Sequence, residues 1–137
     1  METVSTAWAG GMVFDSVVSG HHVIMDAERE FGGKDQGSRP KFLLLAALTG
    51  CTGMDVASIL KKMQVPVEGL VITAHAEVAS GHPKVLTKIH LVYEFKGKDL
   101  PLQKLQTACD LSQEKYCSVS AMLKKACPVT CEIRTTG

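Results

Sequence analysis

"LLLAALTGCTGMDV", residues 43–56, is the stretch on which the reading of the chain turns. Apart from Thr49, Thr52 and Asp55 it is apolar or glycine, and no proline interrupts it. It reads as a helix that is apolar on most of its sides. Cys51 lies between Gly50 and Gly53. Each glycine costs roughly 1 kcal/mol against alanine inside a helix. Either the glycines let a core cysteine pack tightly, or they let something approach a reactive thiol.

The helix extends over about residues 40–63. Pro40 suits a first helical turn and Ser38 is a candidate cap before it. Lys61 and Lys62 place cations at the C-terminal end of the dipole, and Pro66 prevents continuation. One small sheet covers only one side of such a helix. A second copy of the chain would cover the rest, which predicts an obligate homodimer. The span 42–60 is also long enough to suggest a membrane helix, but Asp55 near a bilayer centre costs roughly 2.5–3.5 kcal/mol. The helix is therefore assigned to a protein core, and no membrane partner is expected.

The flanking sequence alternates. "MVFDSVV" (12–18) and "HHVIMDA" (21–27) flank a Ser-Gly turn, and the polar, Gly-rich loop 28–40 leads into the helix. After the helix, Leu70, Ile72, Ala74, Ala76 and Val78 share one face of a strand. Val85, Ile89, Leu91, Tyr93 and Phe95 share a face of the next, joined to the first by the turn "SGHPK". Residues 101–114 read as a second helix, a shorter one starts near Cys117 or Ser118, and "PVTCEIRTT" ends the chain as a strand. The order β-β-β-α-β-β-α-α-β predicts a single α+β domain over 1–137.

With 15 basic and 14 acidic residues in 137, the chain lacks the clustered basic face of a nucleic-acid binder. Lys124 and Lys125 read as a second helix-closing pair. The cysteine count of five is odd, and no basic-then-apolar leader opens the sequence, which predicts a reducing, cytoplasmic setting.

Cys51 has Ala47, Leu48, Met54 and Asp55 as same-face neighbours. Apolar surroundings and the Asp55 carboxylate both oppose its ionisation. Cys117 differs. It opens "SVSAMLKKA", where helix-start N–H groups favour a thiolate, and Lys115 is near in sequence. Cys109 falls on the apolar face of its helix. Cys127 and Cys131 lack the second ligand pair that zinc would take, so no metal is expected. His75 and His90 fall opposite the apolar strand faces and form no metal-binding pattern.

"RPKFLLLAALTGCTGMDVASIL" followed by "DLSQEKYCSVSAML" resembles the osmotically induced protein and organic hydroperoxide resistance (OsmC/Ohr) family, in its OsmC-like subgroup. The likeness covers nearly the whole chain. It implies antiparallel sheets wrapped around two long central helices in an intertwined homodimer. It also implies thiol peroxidase chemistry, with Cys51 as the peroxidatic residue, Cys117 as the resolving one, and an external dithiol reductant in place of a bound cofactor. Two positions depart from the peroxidatic pattern. Lys41 and Phe42 stand where those members carry a glutamate that holds an N-terminal arginine, and here no arginine precedes Arg29.

Three readings follow: a peroxidase acting on a small hydroperoxide, a dimeric module holding an apolar ligand with idle or redox-sensing thiols, or a structural protein whose cysteines merely pack. The distance between Cys51 and Cys117 separates the third from the others.

Overall fold

The alternation of the first third forms an antiparallel meander of β1 (Ser5–Trp8), β2 (Phe14–Val18) and β3 (His21–Met25). In the β2–β3 turn Ser19 and Gly20 both have positive φ, 52° and 81°. This is the backbone that matches a hairpin turn to strand twist. The computed structural model describes residues 1–137 and divides them into two compact units, Met1–Ala46 and Ala47–Gly137.

In the first unit the loop after β3 folds around one carboxylate. Asp26 is buried and accepts the backbone N–H groups of Ala27, Lys34 and Gln36 at 2.7, 3.1 and 3.0 Å. Gly33 and Gly37 are required here, because a Cβ at either would collide with the backbone carbonyls of Ala27 and Ile24. Ser38, expected as a helix cap, instead bridges to Met25 at the sheet edge. A 3₁₀ turn, Pro40–Phe42, follows it, with Arg39 at the cap position and no side-chain capping bond. Pro40 does occupy the first turn, as its ring favours.

The long helix α1 (Leu43–Lys62) begins after that turn and ends with both lysines in its last turn. In the second unit β4 (Gly69–Val78) and β5 (Leu86–Lys96) pair antiparallel, with Ile72 opposite Tyr93 and His75 opposite His90. The α+β class holds. The antiparallel expectation holds for the first sheet and for β4–β5, but β6 (Val129–Thr136) lies parallel to β5 on its other side. Three helical segments separate β5 from β6, long enough for the chain to cross over and return in the same direction.

Flanked on both sides, β5 carries the core: Ile89, Leu91, Tyr93 and Phe95 are fully buried, and the Tyr93 and Phe95 rings stack with centroids 6.4 Å apart. α2 (Leu102–Leu111) adds Leu105, Ala108 and Cys109 to the buried set. It widens into a π-helical turn, Ser112–Tyr116, before α3 (Ser118–Leu123). The π turn is where the structure departs most from a plain second helix over 101–114.

The Asp26 carboxyl is held below the ordinary carboxylate range, chiefly by the Gln36 N–H acting against the cost of burial, then by Ala27, Lys34 and the Arg39 charge. A folded-state pKa below the unfolded value gives stability that is present above the unfolded value of about 3.9 and lost as pH falls through the folded one. Amide exchange at Lys34 and Gln36 should therefore lose protection on acidification, and Asp26→Asn should show that loss at neutral pH. Full protection in the variant would mean that the glycines alone hold the loop.

Candidate active site

Burial of Leu48, Thr52, Val56 and Leu60 along one stripe of α1 leaves Cys51 and Asp55 half-buried at its edge. Cys117, in extended conformation at the N-cap of α3, is almost fully enclosed. Its Sγ accepts the Ser120 N–H at 3.3 Å. The Cys51 Sγ lies 3.9 Å from the Ser118 hydroxyl and accepts the Val119 N–H. The two sulfurs and one carboxylate oxygen of Asp55 lie within 4.8 Å of one another. All five cysteines are unpaired.

The environment sets the two thiols apart. Burial pushes the Cys51 thiol up, as does the Asp55 charge. The Val119 N–H, the Cys117 thiol and the Ser118 hydroxyl outweigh both, so its pKa ends below the ordinary thiol value. Burial dominates at Cys117 and pushes it up to about 11; the Ser120 N–H acts against this, while Cys51 and Asp55 add to the rise. The local sequence reading is thereby reversed. Cys51 is the thiol eased toward ionisation and Cys117 the one held back from it, because α3 donates one of its N–H groups to a cysteine on a different helix. Lys115 does not supply the cation; its ammonium stands over the Tyr116 ring, 5.2 Å from the centroid.

Beneath the thiols runs a buried polar network that sequence reasoning missed. Thr52 Oγ1 lies 2.7 Å from both the Tyr93 hydroxyl and Ser112 Oγ. Ser112 donates to Asp55 Oδ2 at 2.9 Å. The Gln113 amide donates to Tyr93 at 3.0 Å and to Thr52 at 3.2 Å, and accepts from the Ser120 hydroxyl at 2.7 Å. Lys124, which closes α3 as its C-cap residue, also donates its ammonium to the Gln113 carbonyl at 2.7 Å and so ties the π turn. The signal was faint but present. Ser112 falls three and four positions after Cys109 and Ala108, on the buried face of α2 continued, where an apolar residue is the default.

The remaining cysteines stay apart from this cluster. Cys109 is fully buried, and burial pushes its thiol up to about 12. Cys127 is buried and Cys131 exposed. Cys51, Asp55 and Cys117 converge as donors, but three ligands are one short of a closed zinc site. His75 is exposed, and His90 bonds Thr130 and Glu132 across β5 and β6. Arg39, one of the two loop arginines, is paired with Asp35 at 2.8 Å and Glu28 at 3.7 Å; Arg29 is exposed in the 3₁₀ turn Arg29–Phe31.

The groove beside the glycines is not lined by Cys51. Gly50, Gly53, Met54 and Ala57 line a groove of about 460 Å³ with Leu70 and Ile72 of β4. A Cβ at Gly53 would come 3.2 Å from Ile72 Cδ1, so Gly53 serves the approach of β4 to α1.

The sequence profile of the OsmC-like protein family matches residues 33–132. The chain belongs to the OsmC-like family. It is 36% identical to protein YhfA of Escherichia coli (strain K12) over 124 residues, 90% of each chain. An OsmC-like protein from Mycoplasma pneumoniae shares the fold with a TM-score of 0.85 at 11% identity, over 100% of this chain and 98% of that one. The organic hydroperoxide resistance protein OhrB of Bacillus subtilis does so with a TM-score of 0.68 at 17% identity, over 98% of each.

The thiol asymmetry of this OsmC-like chain is measurable. Iodoacetamide labelling across pH, read by mass spectrometry, should alkylate Cys51 first, with a midpoint below that of a free thiol. Cys117 should follow with a midpoint near about 11. Equal midpoints would refute the differentiation.

Proposed function

We propose that this OsmC-like chain is a thiol peroxidase that reduces organic hydroperoxides or hydrogen peroxide through a Cys51–Cys117 sulfenate–disulfide cycle. The observation that carries the reading is the convergence of two sulfurs within 4.8 Å, one with its pKa lowered and the other raised. The Cys51 thiolate attacks the terminal peroxide oxygen. The O–O bond breaks, the alkoxide takes a proton and leaves as alcohol, and Cys51 becomes a sulfenic acid. The Cys117 sulfur then displaces hydroxide from Cys51, giving a disulfide and water. Closing the bond needs only a modest approach of the sulfurs to about 2.05 Å. An external dithiol returns both thiols to the reduced state. The unpaired state of all five cysteines suits a reducing cytoplasm.

The test is stopped-flow oxidation of the reduced protein with cumene or tert-butyl hydroperoxide. Wild type should lose two thiols quickly and yield a Cys51–Cys117 disulfide. Cys117→Ser should stop at a sulfenate that dimedone traps, and Cys51→Ser should be inert. Oxidation no faster than that of a free thiol would overturn the reading.

The functional unit we propose is a homodimer. Phe42, Leu44 and Met54 are 45%, 47% and 77% exposed in one chain, and the groove beside Gly50 and Gly53 is open. An apolar surface of this kind normally marks an interface. Light scattering should find a dimer at micromolar concentration, shifted toward monomer by Met54→Lys. A monomeric wild type would refute this assembly.

A further inference from the structure

Resting on the peroxidase reading, we infer that Asp55 is the general base of the resolving step, carrying the Cys117 proton to the hydroxide that leaves Cys51. The separation of at most 4.8 Å between its carboxylate oxygen and each sulfur is one that a single water bridges. No histidine, glutamate or second aspartate joins the trio.

Two observations point to this step rather than the first. Before oxidation Asp55 works against the chemistry, since its charge opposes the Cys51 thiolate. Once Cys51 is a neutral sulfenic acid, that opposition is gone, and the Asp55 charge bears only on Cys117, whose ionisation it also resists and whose proton it is placed to take. Cys117, meanwhile, is held as a thiol with a pKa of about 11, so at neutral pH only about one molecule in ten thousand carries the thiolate that attack requires. A base must supply it.

The hydrogen-bond directions around Asp55 are fixed by proton counting. Ser112 has one hydroxyl proton and gives it to Asp55 Oδ2. The 2.7 Å contact between Thr52 and Ser112 must then use the Thr52 proton, and the 2.7 Å contact between Tyr93 and Thr52 must use that of Tyr93. The Gln113 amide donates to Tyr93 behind them. The chain Gln113→Tyr93→Thr52→Ser112→Asp55 runs one way and ends on the carboxylate. It anchors one carboxylate oxygen at a set angle to the sulfurs. Ser112, Thr52 and Tyr93 are positioning residues; Asp55 touches the reacting proton.

The step balances. The Cys117 S–H proton passes to Asp55, the Cys117 sulfur forms the S–S bond, the S–O bond of the sulfenic acid breaks, and the departing hydroxide takes the proton from Asp55 as water. Cys117 is oxidised and the Cys51 sulfur reduced. The titratable groups facing Asp55 are Cys51 on its own helix and Cys117 before α3. Behind Ser112 and Thr52 lies Tyr93 of β5, which burial keeps protonated.

Two rates test the inference. With cumene hydroperoxide, Asp55→Asn should form the Cys51 sulfenate faster than wild type but convert it to disulfide about 10²-fold or more slowly. Resolution in the variant should rise about tenfold per pH unit from 7 to 9, as hydroxide replaces the lost base, where wild type is nearly flat. Asp55→Glu should regain part of the rate, and Ser112→Ala should give an intermediate loss without a new pH slope. A second assay needs no peroxide. The reduced protein is treated with one equivalent of 5,5′-dithiobis(2-nitrobenzoic acid), and release of the second thionitrobenzoate reports Cys117 attacking the Cys51 mixed disulfide. Slow release in Asp55→Asn beside a wild type that ignores hydroperoxides would uphold the base and discard the peroxidase. Wild-type release with an unchanged pH profile in Asp55→Asn would overturn the base.

Discussion

The Thr52 hydroxyl joins α1, β5 and the π turn in one place, through Tyr93, Ser112 and Gln113. At such a depth each polar atom left without a partner costs about 1–3 kcal/mol, and a half-satisfied network is worse than an apolar one. Here every buried side-chain polar atom has a partner. That completeness has a consequence some distance away. Gln113 holds the Ser120 hydroxyl, and Lys124 holds the Gln113 carbonyl, so the first turn of α3 is anchored from beneath. The same turn presents the N–H groups of Val119 and Ser120 to the two sulfurs. Slackening at Thr52 would therefore reach Cys51 through α3, although the two residues are neighbours in sequence and point to different partners.

Two adjacent N–H groups acting on two cysteines raise the question of why the effects are so unequal. Val119 and Ser120 each give one bond, yet Cys51 falls and Cys117 rises. The difference is desolvation. Cys117 is 3% exposed, while Cys51 lies at the margin of the buried stripe and has further donors in the Cys117 thiol and the Ser118 hydroxyl. A thiol that donates to its neighbour stabilises that neighbour's anion and resists ionising itself. One geometry thus lowers the pKa of one thiol and raises that of the other, with no cation among the causes.

How much of this was legible follows from which interactions are local. Period-2 alternation placed β4 and β5, and the uninterrupted apolar run placed α1, because both report burial of side chains close in sequence. The pairing direction of β6 was not legible, since it depends on how far α2, the π turn and α3 carry the chain. Ser38 had the chemistry of a cap and lost to the sheet edge, where its N–H and carbonyl pair with Ile24 and Asp26. The family resemblance brought Cys51 and Cys117 together, while local reasoning assigned their ionisation the wrong way round. The decisive donor to Cys51 comes from Val119, which no spacing near residue 51 could reveal. Thr52, Ser112 and Gln113 were visible only as polar residues on apolar faces.

The length and composition of α1 with its 3₁₀ lead-in, 23 residues containing an 18-residue window at a mean hydropathy of 1.7, would also satisfy a bilayer, and only 22% of that window is buried within its own chain. What separates the cases is where the polar atoms point. Thr52 and Asp55 are spent on hydrogen bonds within the second unit, on the buried stripe and its margin. The far side carries Gly50, Met54 and Ala57, which are exposed, and Gly53, half-buried beside β4. Lipid chains gain little from glycine, whereas a packed protein surface can approach glycine closely and gain dispersion contacts. The helix thus hides its carboxylate on one side and offers small residues on the other. Gly53 then belongs to the packing of β4 on α1, and the donors to the Cys51 sulfur come from the other side of the same helix.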